Sequence, residues 1–116
     1  VGPDGVVYAL EENGALLRVT HVGTRPVTDG SGRPILDARS ADVDREGRLW
    51  VLRSDALAVR DGSGRWSRIA AEAFEGERLR LVFGGPRGAD VATATGLWSV
   101  RPRGSVRRLA DAREVE

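Results

Sequence analysis

Four arginines, Arg101, Arg103, Arg107 and Arg108, crowd towards the C-terminal end of the sequence. Their planar, forked donors would suit a phosphate or an acidic partner. Adjacent residues on a strand face opposite ways, however, so Arg107 and Arg108 would not share one anion. A charged, solvated strand edge is the commoner use of such a run. Asp42, Asp44 and Glu46 form the densest acidic cluster, and alternation sends Asp42 and Asp44 to one face, in a spacing that fits no cation loop. The segment Asp29-Gly30-Ser31-Gly32-Arg33 recurs as Asp61-Gly62-Ser63-Gly64-Arg65. Each copy offers one carboxylate and one hydroxyl, against the roughly six oxygens that a hard cation requires, so two tight turns explain the pair better than a metal site.

The single histidine, His21, cannot build a multi-histidine zinc site. With no cysteine and no lysine, covalent catalysis would need a serine activated by that one histidine. Pairs of carboxylates could serve glycoside hydrolysis, but only a fold can set their separation. Trp50, Trp66 and Trp98 could stack on sugars or bases. Trp50 and Trp66 sit at repeating positions also filled by Tyr8, Val91 and Val106, which assigns both to the core and leaves Trp98 open. No residue pattern asks for a cofactor.

The chain of 116 residues carries 18 basic groups, all of them arginine, against 17 acidic ones. Such a balance provides no overall field for nucleic acid or an anionic membrane, so electrostatic recognition must be local. The absence of cysteine excludes disulfides and thiolate chemistry and leaves the compartment open. Apolar runs such as Leu81-Val82-Phe83 fall far short of the roughly 20 residues of a membrane helix, which predicts no membrane insertion. The sequence opens on Val1 without a signal-peptide pattern, as expected of a piece of something longer.

Positioning these side chains falls to short elements. Turn chemistry recurs at Pro3-Asp4-Gly5, Glu12-Asn13-Gly14, Asp29 to Gly32, Glu46-Gly47, Asp61 to Gly64, Gly84-Gly85-Pro86 and Pro102-Arg103-Gly104. The intervals predict strands at Val6–Leu10, Leu16–Thr20, Leu49–Arg53, Leu57–Arg60, Trp66–Ile69, Leu79–Phe83, Val91–Thr95, Leu97–Val100 and Val106–Leu109. Only Ile69–Glu77, with one helical turn at Ala70–Ala73, and Ala110–Glu116 invite a helical reading. The fold class is therefore all-β and antiparallel.

Gly5, Gly47 and Gly88 each open a strand, 42 and 41 residues apart, and Leu16, Leu57 and Leu97 open the next, 41 and 40 apart. Gly64-Arg65-Trp66-Ser67-Arg68-Ile69 and Gly104-Ser105-Val106-Arg107-Arg108-Leu109 supply a third column. One domain with approximate repeats 1–34, 35–76 and 77–116 follows. The run Asp44-Arg45-Glu46-Gly47-Arg48-Leu49-Trp50-Val51-Leu52 with Leu57, and Thr95-Gly96-Leu97-Trp98 after it, resembles the blades of two-component-regulator sensor propellers. Asp4 to Leu10 with Gly14-Ala15-Leu16-Leu17 is similar to quinoprotein-type blades.

The resemblance implies four-stranded antiparallel blades, here about two and a three-stranded partial one lacking its innermost strand, belonging to a larger or oligomeric β-propeller. It also implies ligands over the channel, at the turns Glu11-Glu12-Asn13, Arg53-Ser54-Asp55 and Thr93-Ala94-Thr95. Glu12, Asn13, Arg53, Asp55 and Thr95 are the candidate binding residues. The leading functional reading is a non-catalytic binding or interaction module, the sensory part of a bacterial signalling or surface protein. Its expected partners are another protein, further blades or a second copy, with a small ligand over the channel. The competing reading is a fragment of a propeller hydrolase or lyase using channel carboxylates and arginines.

Overall fold

A computed structural model describes residues 6–54, 56–75 and 77–111. Among the described residues the strands are β1 (Val7–Leu10), β2 (Leu16–Thr20), β3 (Gly23–Pro26), β4 (Ser40–Val43), β5 (Leu49–Leu52), β6 (Ala56–Arg60), β7 (Trp66–Ala70), β8 (Leu79–Gly84), β9 (Ala89–Thr93), β10 (Gly96–Val100) and β11 (Val106–Asp111). They pair in chain order into three antiparallel sheets, β1-β2-β3, β4-β5-β6-β7 and β8-β9-β10-β11. The helical turn expected near Ala70–Ala73 is a 3₁₀ turn at Ala71–Phe74, between the second and third sheets. The other helical reading is corrected where it can be seen: Ala110 and Asp111 end β11, and the rest of that stretch lies outside the described residues, as does the turn at Pro3-Asp4-Gly5.

Five turns share one design. Glu11, Asp29, Asp44, Asp61 and Arg101 each accept a hydrogen bond from the N–H of the glycine three residues later, at 2.9–3.1 Å. Those glycines, Gly14, Gly32, Gly47, Gly64 and Gly104, have φ between +83° and +96°. This is a type I turn closed by a left-handed residue, which glycine adopts without strain. Asp29, Asp44 and Asp61 reinforce it by accepting the N–H groups two and four residues on, as the repeated Asp-x-x-Gly spelling suggests.

Asp44 does more than hold its turn. Its second oxygen accepts Arg48 Nε and Trp50 Nε1, each at 2.8 Å, so a carboxylate only 2% exposed is fully engaged. That bond explains why a tryptophan six residues after the turn aspartate can be buried completely.

Register corrects one column of the sequence alignment. Asp44 N to Arg48 O closes the β4–β5 turn, whereas Gly85 N to Gly88 O closes the β8–β9 turn one residue sooner. Gly88 therefore stands with Arg48 and not with Gly47. Asp90 takes the place of Trp50, and Val91 that of Val51. Leu57 and Leu97 remain equivalent, facing Leu52 and Ala92 across their ladders.

With that register the three sheets stack in one sense. Tyr8 and Leu16 of the first sheet pack, with Val27, Ile35 and Ala38, against Leu49 and Val51 of the second. The opposite face of the second sheet, Trp50, Leu52, Leu57 and Val59, packs on Val82, Val91, Trp98 and Val100 of the third. We call the face turned to the preceding sheet the front and the other the back. β5 is buried on both faces, hence its unbroken Leu-Trp-Val-Leu.

The inner strands β4 and β8 meet closely. Ser40 Oγ accepts Val82 N–H at 3.1 Å and Asp42 accepts Gly84 N–H at 2.6 Å, satisfying edge donors of β8. A Cβ on Gly84 would lie 2.2 Å from the Val43 carbonyl, so only glycine permits this approach.

Candidate functional site

Asp37 and Glu77 each precede the first strand of a four-stranded sheet and clasp the middle hairpin of that same sheet. Asp37 accepts Arg53 Nε at 2.8 Å, Ser54 Oγ at 2.8 Å and Ser54 N–H at 3.3 Å. Glu77 accepts the hydroxyls of Thr93 and Thr95, Trp98 Nε1 at 2.9 Å and Arg108 at 3.3 Å. The Thr95 hydroxyl, and then the Trp98 and Thr93 donors, overcome desolvation and hold the Glu77 carboxyl down to about 2. At Asp37 burial pushes the pKa up, and the Ser54 and Arg53 hydrogen bonds more than reverse it.

The two clasps close over different volumes. In the third sheet Val82, Val91, Trp98 and Arg108 form one front-face row across the strands. Trp98 is buried, packs edge-on against Phe74 at 5.7 Å between ring centroids, and carries the Arg108 guanidinium 5.3 Å from its own. The same row of the second sheet reads Ala41, Val51, Ala58 and Arg68. Alanine replaces the tryptophan.

Beside Ala58 lies a cavity of about 430 Å³, within the usual size range of small-molecule sites. It is lined by Ala56, Ala58, Trp66 and Arg68 together with Asp37, Arg53 and Asp29. Arg53 lies 2.8 Å from Asp37 and 3.6 Å from Asp29. Hydrogen bonds from Ser31, led by its hydroxyl, hold the Asp29 carboxyl down to about 2. The Trp66 indole donates to the Thr28 carbonyl at 3.1 Å, and Arg60 lies 5.7 Å from its ring.

Of the residues anticipated from sequence, Arg53 lines this cavity. Glu12 and Asn13 are exposed in the β1–β2 turn, where Asn13 Oδ1 accepts Ala15 N–H at 3.0 Å. Thr95 belongs to the Glu77 clasp, and Asp55 lies outside the described residues. Trp66, expected in the core, packs against the core between the first and second sheets but is only half-buried, lying beside the loop that carries Thr28 and Gly30. Trp98, left open, is core. His21 is exposed in the β2–β3 turn.

The arginine run divides. Arg107 and Arg108 pair with Ser99 and Trp98 on opposite faces of β11, while Arg101 and Arg103 join Arg48 and Arg87 around a concavity of about 620 Å³.

Comparison with known proteins yields no relative. No family model matches the chain, and neither a curated protein nor a solved structure does. The site is therefore read from its own chemistry. Asp37 and Ala58 escaped sequence reasoning, although each has a counterpart forty residues on, Glu77 and Trp98, that a column comparison could have paired.

Proposed function

We propose that this chain is a non-catalytic binding and interaction module built of consecutive propeller-type blades, with its ligand site in the cavity beside Ala58. The observation that carries the reading is the one-way stacking, in which each sheet lays its back on the front of the next. Stacking of that kind leaves two unlike ends. The front of the first sheet presents Val7, Ala9, Leu17 and Val19, and the back of the third presents Leu81, Phe83 and Leu97. Val7, Leu81 and Phe83 are 41–48% exposed.

Front-to-back contact is how the two internal junctions are made, so another blade, from a longer polypeptide or a second copy, would fit either end. Two copies joined this way would close a six-sheet ring. A ligand site lined by rigid strands and two fixed carboxylates suits recognition. Arg53 is committed to Asp37 and Asp29, which gives the cavity a polar lining already organised before a ligand arrives.

Two measurements test the reading. Light scattering over a micromolar concentration range should show reversible association of the 116-residue chain; a dye-silent monomer throughout contradicts the open ends. Amide NMR with a mixed set of aromatic, carboxylate and sugar fragments should show binders perturbing Arg53, Ser54, Ala56 and Arg68. No perturbation by any fragment contradicts the ligand site.

A further inference from the structure

The third sheet contains the occupant that the second sheet lacks a side chain to supply. We infer that the cavity beside Ala58 binds a planar aromatic ring bearing an N–H donor, held as the Trp98 indole is held in the equivalent place. This deepens the binding reading above and rests on it for the identity of the site.

Three correspondences carry the inference. Ala58 and Trp98 occupy the same strand position, each between a valine of the preceding strand, Val51 or Val91, and an arginine of the following one, Arg68 or Arg108. The carboxylate that receives the Trp98 N–H, Glu77, has its counterpart in Asp37. A carboxylate offers about four acceptor positions. Glu77 accepts four hydrogen bonds and Asp37 three among the described residues, and one of the four at Glu77 comes from the Trp98 indole, a donor that Ala58 has no side chain to replace.

The second sheet adds a wall that the third does not have. Where Val106 packs beside Trp98, the equivalent residue is Trp66, whose ring lines the cavity. A ring placed over Ala58 would meet the edge or face of Trp66 and lie close to Arg68, an environment suited to an electron-rich heterocycle. Indole, free or at the end of a peptide side chain, and a purine share this chemistry. An aromatic without a donor would leave Asp37 with no new partner.

The test uses the full chain, labelled with nitrogen-15, and two rings of equal shape: indole, which has the N–H, and benzofuran, which does not. Indole at ~1 mM should shift the amides of Ala56, Leu57, Ala58, Ser67 and Arg68, and benzofuran should bind about tenfold more weakly, the effect of one charge-assisted hydrogen bond. The Ala58→Trp variant should bind neither, because its own side chain fills the place; Ala58→Leu serves as the blocking variant if the first fails to fold. Tryptophan amide and adenine as second probes separate a peptide source from a nucleobase source. Benzofuran binding as tightly as indole, or indole binding surviving in the blocked variant, overturns the inference. Silence from indole while another fragment class binds the cavity overturns the inference and leaves the binding reading standing, whereas silence from every fragment removes both.

Discussion

The second and third sheets are built on one register, with a clasping carboxylate before the first strand and an arginine on the last, yet one is closed and the other is not. In the third sheet Trp98 fills the space under the clasp, its indole bound to Glu77 and covered by Arg108. In the second sheet Ala58 leaves that space open, and Asp37 turns to Arg53 and Ser54. The exchange of Trp98 for Ala58, with Trp66 standing where the third sheet has Val106, thus separates a core from a cavity on a common framework. On the proposed reading, stability and recognition occupy equivalent places in adjacent sheets, and the positions that differ between them are where binding is to be sought.

The largest expected effects come from removing the two fully packed indoles. Trp98→Ala should cost about 3–5 kcal/mol in a chemical denaturation experiment, as should Trp50→Ala, which also strips the Asp44 carboxylate of a donor. The two variants sharpen the comparison because only the first reproduces the Ala58 arrangement. Indole in solution should therefore restore part of the loss in Trp98→Ala by binding the folded state, and little in Trp50→Ala. Equal rescue of both would dissolve the distinction between the sheets.

A smaller effect lies in acid. The Glu77 carboxyl is held down to about 2 from an ordinary value of 4.5. A group depressed in the folded state contributes stability that is complete above its unfolded pKa and is lost as the pH falls through the folded one. Unfolding followed from pH 5 down to pH 2 should show this loss, and Glu77→Gln should flatten that part of the curve. Asp37 is lowered as well, so Asp37→Asn should flatten the curve in the same direction. An unchanged acid limb in Glu77→Gln would mean that the clasp does not persist in solution.

Much of the architecture was legible because it rests on local spelling. Asp-x-x-Gly turns and alternating apolar residues marked nine of the strands. The others, β3 and β4, were missed for different reasons. Gly23-Thr24-Arg25-Pro26 is exposed along its length and has no apolar face to detect. In Ser40-Ala41-Asp42-Val43 the buried Ser40 and the exposed Asp42 both accept N–H groups of β8, so alternation there encodes an inter-sheet contact and not simple amphipathicity. The site was less legible. Arg53 could be reached through its place in a turn, but a cavity arises from missing bulk, and Ala58 has no chemistry of its own to draw attention. Asp37 differs in length from Glu77, and its role appears only when both hairpins are seen.

The smallest change in stability is expected from filling the cavity, where a side chain enters existing space and core overpacking is avoided: Ala58→Trp should alter unfolding by less than about 1 kcal/mol. The crystal structure of that variant tests the central claim most directly. The introduced indole should lie over the second sheet with its N–H on the Asp37 carboxylate and the Arg68 guanidinium near its ring, superposing on the Trp98 arrangement. An indole turned out to solvent, or a shifted register between β6 and β7, would contradict the equivalence of the two sheets on which the account depends.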